Sequence, residues 1–107
     1  MTLVALTGAT GFVGQAVLER ALAEGLTVRA LARREQPARK GVRWVHGDLA
    51  DRRALARLMK GAEAVIHVAG VVNAPDREGF EAGNVAGTLT VVEAAKTAGV
   101  PRFVCVS

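Results

Sequence analysis

Gly8, Gly11 and Gly14 stand at intervals of three in "LTGATGFVGQAV", after one apolar run and before another. Chemistry at such a turn is phosphate binding. Gly8 would give the tight turn, Gly11 would let backbone approach a pyrophosphate, and Gly14 would let a helix press on a strand. The amides near Gly11, Phe12 and Val13 then face the anion with the helix dipole behind them. A second set of residues bears on which dinucleotide is held. An enzyme for NAD places Asp or Glu after its second strand, where the carboxylate accepts from the ribose 2′-hydroxyl and repels a 2′-phosphate. In "TVRALARR" that position is Ala32, followed by Arg33 and Arg34. Guanidinium groups there can grip a phosphate, with Arg33 ahead of Arg34, so the expected cofactor is NADP rather than NAD. His46 and His67 have no Cys/His cluster around them to indicate a metal, and both read as structural.

These residues need a scaffold, and the hydrophobic pattern supplies one. The stretches "TLVALT", "LTVRAL", "VRWV", "AVIHVAG" and "RFVCVS" are apolar and β-branched with little alternation, as in parallel strands covered on both faces. Helical patterns lie between most of them. Val13, Val17, Leu18, Ala21 and Leu22 share one face; Ala54, Leu55, Leu58 and Met59 share a second; Leu89, Val92, Ala95 and Ala98 share a third. Each helix stops at a glycine, in "AEGLTV", "MKGAEAV" and "TAGVPRF". The expectation is an α/β fold, a doubly wound parallel sheet of Rossmann type with strand order 3-2-1-4-5. The twelve residues "VVNAPDREGFEA" read as its longest loop.

The motifs also resemble a known family. Thr7 to Gly14, "TGATGFVG", is similar to the TGxxGxxG signature of short-chain dehydrogenases/reductases, and most similar to the extended group of NAD(P)-dependent epimerases, dehydratases and reductases. "HGDLADRRALARLMKGAEAVIHVAG" resembles that group's Gly-Asp-Leu segment and following strand, with Glu63 where the group has aspartate. "NVAGTLTVVEAAKTAGVPRFVCVS" resembles its Asn-Val-x-Gly-Thr helix and the strand that ends in an active-site serine. The resemblance implies a cofactor site of Gly8, Thr10, Gly11, Phe12, Val13, Gly14, Arg33, Arg34, Asp48, Leu49, Ala69 and Gly70. Asp48 and Leu49 would meet the adenine. Ala69 and Gly70 would keep side chains out of the path of the ribose and phosphates. Asn84 would support the active site or bond locally at its helix. The family transfers hydride with a Ser/Thr, a Tyr and a Lys, the tyrosine acting as acid and base. This chain has no tyrosine, and Ser107 matches only the first residue of the family's Ser-Ser. No catalytic residue is therefore assigned.

Residues 1–107 are expected to be the N-terminal part of such an enzyme, with the substrate region absent. The full enzyme would move hydride on a sugar-nucleotide or a small ketone or alcohol. The alternatives are a non-catalytic NAD(P)-binding module and a structural α/β domain without ligand. Composition bounds the rest. No apolar run approaches the roughly 20 residues of a membrane span, and the start lacks a secretory pattern, so the expected location is cytoplasmic with no membrane partner. Cys105 is the single cysteine, expected as a buried thiol in a strand. The net charge is +4, and Arg29, Arg33, Arg34, Arg39, Lys40 and Arg43 fall close together opposed only by Glu35, which points to an anionic ligand. Trp44 stands alone and reads as core, which argues against nucleic acid. An open fifth strand and the apolar face of the third helix would favour association, as a homo-oligomer, or a missing partner segment.

Overall fold

The computed structural model describes residues 2–68 and 77–106, without the side chains of 77–85. The elements run β1 (Leu3–Thr7), α1 (Phe12–Ala23), β2 (Thr27–Ala32), β3 (Val42–His46), α2 (Arg52–Met59), β4 (Ala64–Val68), α3 (Arg77–Ala98) and β5 (Arg102–Val106). All five strands pair in parallel in the order β3-β2-β1-β4-β5. Apolar side chains on both faces of β1 and β2 make this arrangement stable only when each face is covered. On one face Ala5, Leu31, Val45 and Val65 pack with α2 and with Val91 and Ala95 of α3. On the other, Leu6, Val28, Ala30 and Val68 pack with Leu18 and Ala21 of α1. The sheet is thus doubly wound, a Rossmann fold.

The helix boundaries follow from local chemistry. Asp51 caps α2, its carboxylate accepting from the Ala54 amide at 3.0 Å. Ala54, Leu55, Leu58 and Met59 are all fully buried, as their spacing predicts. The other end of α2 is held by Arg29 of β2, whose Nη1 donates to the carbonyls of Arg57, Leu58 and Lys60 at 2.8, 3.2 and 2.6 Å. A cation placed on the last carbonyls of a helix satisfies orphan acceptors and complements the dipole. Gly25, Gly61 and Gly99 all take positive φ where the three helices hand over to strands.

Five expectations need correction. The twelve-residue loop after β4 is shorter, because α3 already begins at Arg77. The buried stripe of α3 runs through Val91 and Ala95, while Leu89 is exposed; several of its small residues read equally well from either side, and packing against α2 selects the face. Cys105 is exposed, because β5 is an edge strand and its exposed Phe103 and Val104 are likewise uncovered. Trp44 is only half-buried, packed at the edge of the α1 face with its indole N–H donating to the Pro37 carbonyl at 3.2 Å. The basic cluster is also divided: Arg29 caps α2, and Arg39 pairs with Glu19 of α1 at 2.7 Å.

Candidate functional site

The sheet order reverses between β1 and β4, and ligands of doubly wound sheets sit at such a point, beyond the carboxyl ends of the strands. A groove of about 710 Å³ opens there. Its walls come from the glycine turn, the end of β2 with Arg33, and the segment after β3 with Asp48 and Leu49. The remaining wall is supplied by His67 and Val68 of β4 and Val106 of β5. Of the residues expected at a cofactor, Gly8, Thr10, Gly11, Phe12, Val13, Gly14, Arg33, Asp48 and Leu49 all line this one groove. Arg34 does not. It lines a neighbouring hollow of about 510 Å³ with Ala32, Glu35, Gln36, Trp44, Val45 and His46. Ala69, Gly70 and Ser107, and the side chain of Asn84, lie outside the described residues.

The three glycines have different reasons. Gly8 takes φ +77°, and a Cβ there would lie 2.6 Å from the Val68 carbonyl oxygen. At Gly14 a Cβ would lie 1.6 Å from the Gly8 carbonyl oxygen, so only glycine lets α1 seat on the turn. Gly11 is unlike both: its nearest neighbour would be the Gly8 oxygen at 3.6 Å, an ordinary contact. The chain itself tolerates a side chain at Gly11. Gly11 is also the N-cap of α1, in extended conformation and with no side-chain cap. The Gln15 amide donates to the Gly11 carbonyl, so the amides of Phe12, Val13 and Gly14 precede the first helical hydrogen bond and are open to an anion. Phe12, 94% exposed, stands over this end of the groove.

Opposite the turn, one Asp48 carboxylate oxygen accepts from the Ala50 amide at 2.8 Å, which fixes the turn after β3. The other oxygen has no partner among the described residues. Leu49 is half-buried and braced by α3, where a Cβ at Gly87 would come within 2.9 Å of its Cδ1. Arg33 is exposed, and its guanidinium has no hydrogen-bond or ion-pair partner among the described residues.

One feature of the groove wall escaped the residue patterns. Thr7 and His67 are register partners on β1 and β4, and their side chains meet through Thr7 Oγ1 and His67 Nδ1 at 2.5 Å. His67 Nε2 reaches Thr88 Oγ1 of α3 at 3.0 Å. Both hydroxyls can donate or accept, so the neutral ring is satisfied in either tautomer. Burial holds the His67 imidazole below its usual range. The ring ties two strands and a helix together at the groove, and the only signal for it is the strand order that brings residues sixty positions apart side by side.

Parallel sheet, glycine turn and groove at the strand reversal together define a Rossmann fold of the short-chain dehydrogenase/reductase type. The sequence profile of the NAD-dependent epimerase/dehydratase family matches residues 4–107, and the chain belongs to that family. A ceramide reductase of Caulobacter vibrioides is 45% identical over 97% of this chain and 34% of its own length. A 4-hydroxy-2-methyl-3-oxo-4-farnesyl-3,4-dihydroquinoline-1-oxide ketoreductase of Stigmatella aurantiaca is 38% identical over 95% of this chain and 32% of its own. Among solved structures, a short-chain dehydrogenase/reductase superfamily protein of Agrobacterium tumefaciens with bound NAD superposes with a TM-score of 0.77 at 40% identity, covering 96% of this chain and 31% of that one. Uronate dehydrogenase from the same organism superposes with a TM-score of 0.81 at 30% identity, covering 100% and 41%. The chain thus spans about a third of the length of the curated relatives it matches.

Proposed function

We propose that residues 1–107 form the NADP-binding part of a reductase, dehydrogenase or epimerase that transfers hydride on a small ketone or alcohol or a sugar-nucleotide, with the substrate region lying outside this chain. The observation that carries the reading is the groove's pairing of open first-turn amides with Arg33, which has no partner among the described residues, beside Ala32, where a carboxylate would reject a 2′-phosphate. The pyrophosphate would lie on the turn at Gly11, Phe12 and Val13. Asp48 and Leu49 would hold the adenine, the free carboxylate oxygen accepting from its exocyclic amine, and Ala69 and Gly70 would line the path toward the nicotinamide. Arg33, with Arg34 beyond it, would take the 2′-phosphate. The bound nicotinamide supplies the hydride chemistry; these residues bind and orient it. Reductases among the relatives support a ketone or alcohol ahead of a sugar-nucleotide.

The test is titration of the full-length protein with NADPH and NADH, followed by fluorescence. A charge-assisted hydrogen bond contributes about 1.5–3 kcal/mol, so NADPH should bind roughly tenfold or more tightly than NADH. Arg33→Ala should remove most of that difference. The NAD bound to the 40%-identical Agrobacterium protein makes the comparison decisive: tighter NADH would overturn the NADP assignment, and binding of neither would overturn the cofactor reading altogether.

A further inference from the structure

Gly87 lies inside α3 with no positive φ, so the backbone conformation there does not call for glycine. A neighbour does. A Cβ at Gly87 would lie 2.9 Å from Cδ1 of Leu49, while Cβ and Cγ of Leu49 would stand at 3.8 and 4.0 Å. Carbon atoms in contact sit about 3.5–4.0 Å apart, so the conflict is with one methyl group of the groove wall and amounts to roughly 0.6–1.1 Å.

Of the parts that meet here, only the Leu49 side chain has room to move. α3 is held at the next residue, where Thr88 Oγ1 lies 3.0 Å from His67 Nε2, and His67 is joined in turn to Thr7 of β1. One turn further along, Val91 and Ala95 are buried against the core. The main chain at Leu49 is fixed as well: the Ala50 amide donates to the Asp48 carboxylate at 2.8 Å, and the Asp51 amide donates to the Asp48 carbonyl at 3.1 Å. Leu49 packs on the core cluster beneath α2 and α3, and it also lines the groove. A close-packed interior does not take up a displaced methyl group, so a Leu49 side chain pushed from α3 moves into the groove.

We infer that Gly87 is a positioning residue for the adenine: its missing side chain lets Leu49 stand back against α3, and this sets how much of the groove is left for the ring. The inference rests on the reading above that places the adenine at Leu49. It assigns the clearance to a helix of which no described residue lines the groove.

The experiment uses the full-length protein, with adenosine 5′-monophosphate and nicotinamide mononucleotide each displacing NADPH, followed by NADPH fluorescence. Alanine is favoured over glycine inside a helix, so Gly87→Ala should unfold no lower than wild type. It should bind adenosine monophosphate about tenfold or more weakly, the effect of one methyl group too many in an apolar pocket. NADPH and NADH should weaken by a common factor, and nicotinamide mononucleotide should stay within about twofold, as for an independent site. Leu49→Val removes the δ carbons, and in that background Gly87→Ala should change adenosine monophosphate affinity by about twofold or less.

Unchanged adenosine monophosphate affinity in Gly87→Ala would overturn the role of Gly87 and leave the cofactor reading standing. A lowered unfolding temperature, or an equal loss for both mononucleotides, would overturn it in favour of a shift of the whole helix. A loss that persists in full with Leu49→Val would overturn the route through Leu49. Failure of the wild type to bind NADPH would overturn the cofactor reading and this inference together.

Discussion

Gly11 and Gly14 sit three residues apart in one motif, yet alanine at each should fail in a different way. At Gly14 the new Cβ would lie 1.6 Å from the Gly8 carbonyl oxygen, a backbone atom that cannot swing aside, and 2.5 Å from its carbon. Overpacking of this severity lies at or above the upper end of the usual range, about 3 kcal/mol. Alanine recovers about 1 kcal/mol of helix propensity, so the net loss should be at least about 2 kcal/mol. For a unit of this size that lowers Tm by roughly 8 °C or more. At Gly11 the nearest atom is 3.6 Å away and φ is −80°, so the fold loses only the modest N-cap preference, less than about 1 kcal/mol. Its cost should fall on the ligand instead: a methyl over the open amides of α1 should weaken NADPH tenfold or more. Thermal unfolding without cofactor and fluorescence titration with NADPH separate the two. A Gly14→Ala protein with the wild-type Tm would refute the packing argument. Wild-type NADPH affinity in Gly11→Ala would refute the placement of the pyrophosphate on this turn.

Two further outcomes follow from the scaffold. Arg29→Met keeps the length of the side chain but removes the donor to three carbonyls at the end of α2; it should lower unfolding free energy by about 1–3 kcal/mol in urea, with the NADPH/NADH ratio unchanged, and a stability equal to wild type would sink the capping role. Burial lowers the His67 pKa in the folded chain, so the unfolded state binds the proton first as pH falls. Stability should be level above the ordinary histidine range near pH 6.5 and decline as pH drops below it toward the depressed folded value. Urea midpoints measured across pH 5 to about 8 test this, and His67→Gln should remove that part of the slope.

Much of this molecule is legible without coordinates, for reasons of period and spacing. Continuous β-branched runs, helical patterns that each stop at a glycine, and a glycine turn at the first strand-to-helix junction are short-range signals; they mark the strands, the helices and one edge of the groove, and the strand order was expected from the Rossmann type they match. Asp48 and Leu49 were legible for a different reason, the family resemblance of "GDL". Arg33 and Arg34 are neighbours in sequence just past the end of β2 at Ala32, but they line different spaces, Arg33 the groove and Arg34 the hollow beside it.

What only the tertiary structure decided is what depends on partners distant in sequence. The face of α3 that is buried is selected by packing against α2, since its small residues are compatible with more than one stripe. Cys105 is exposed because β5 lies at the edge of the sheet, which the apolar character of the strand itself conceals. Arg29 reads as part of a basic cluster until β2 and α2 are brought together, and then its charge belongs to a helix end. The joining of Thr7, His67 and Thr88, and the position of His46 beside Ala32, arise from strand register. The sequence by itself determined the strands, the helices and the glycine turn at the groove, because those rest on local periodicity and steric need; the identity of each side chain's neighbours had to wait for the sheet, because hydrogen-bonded register, not chain order, places them side by side.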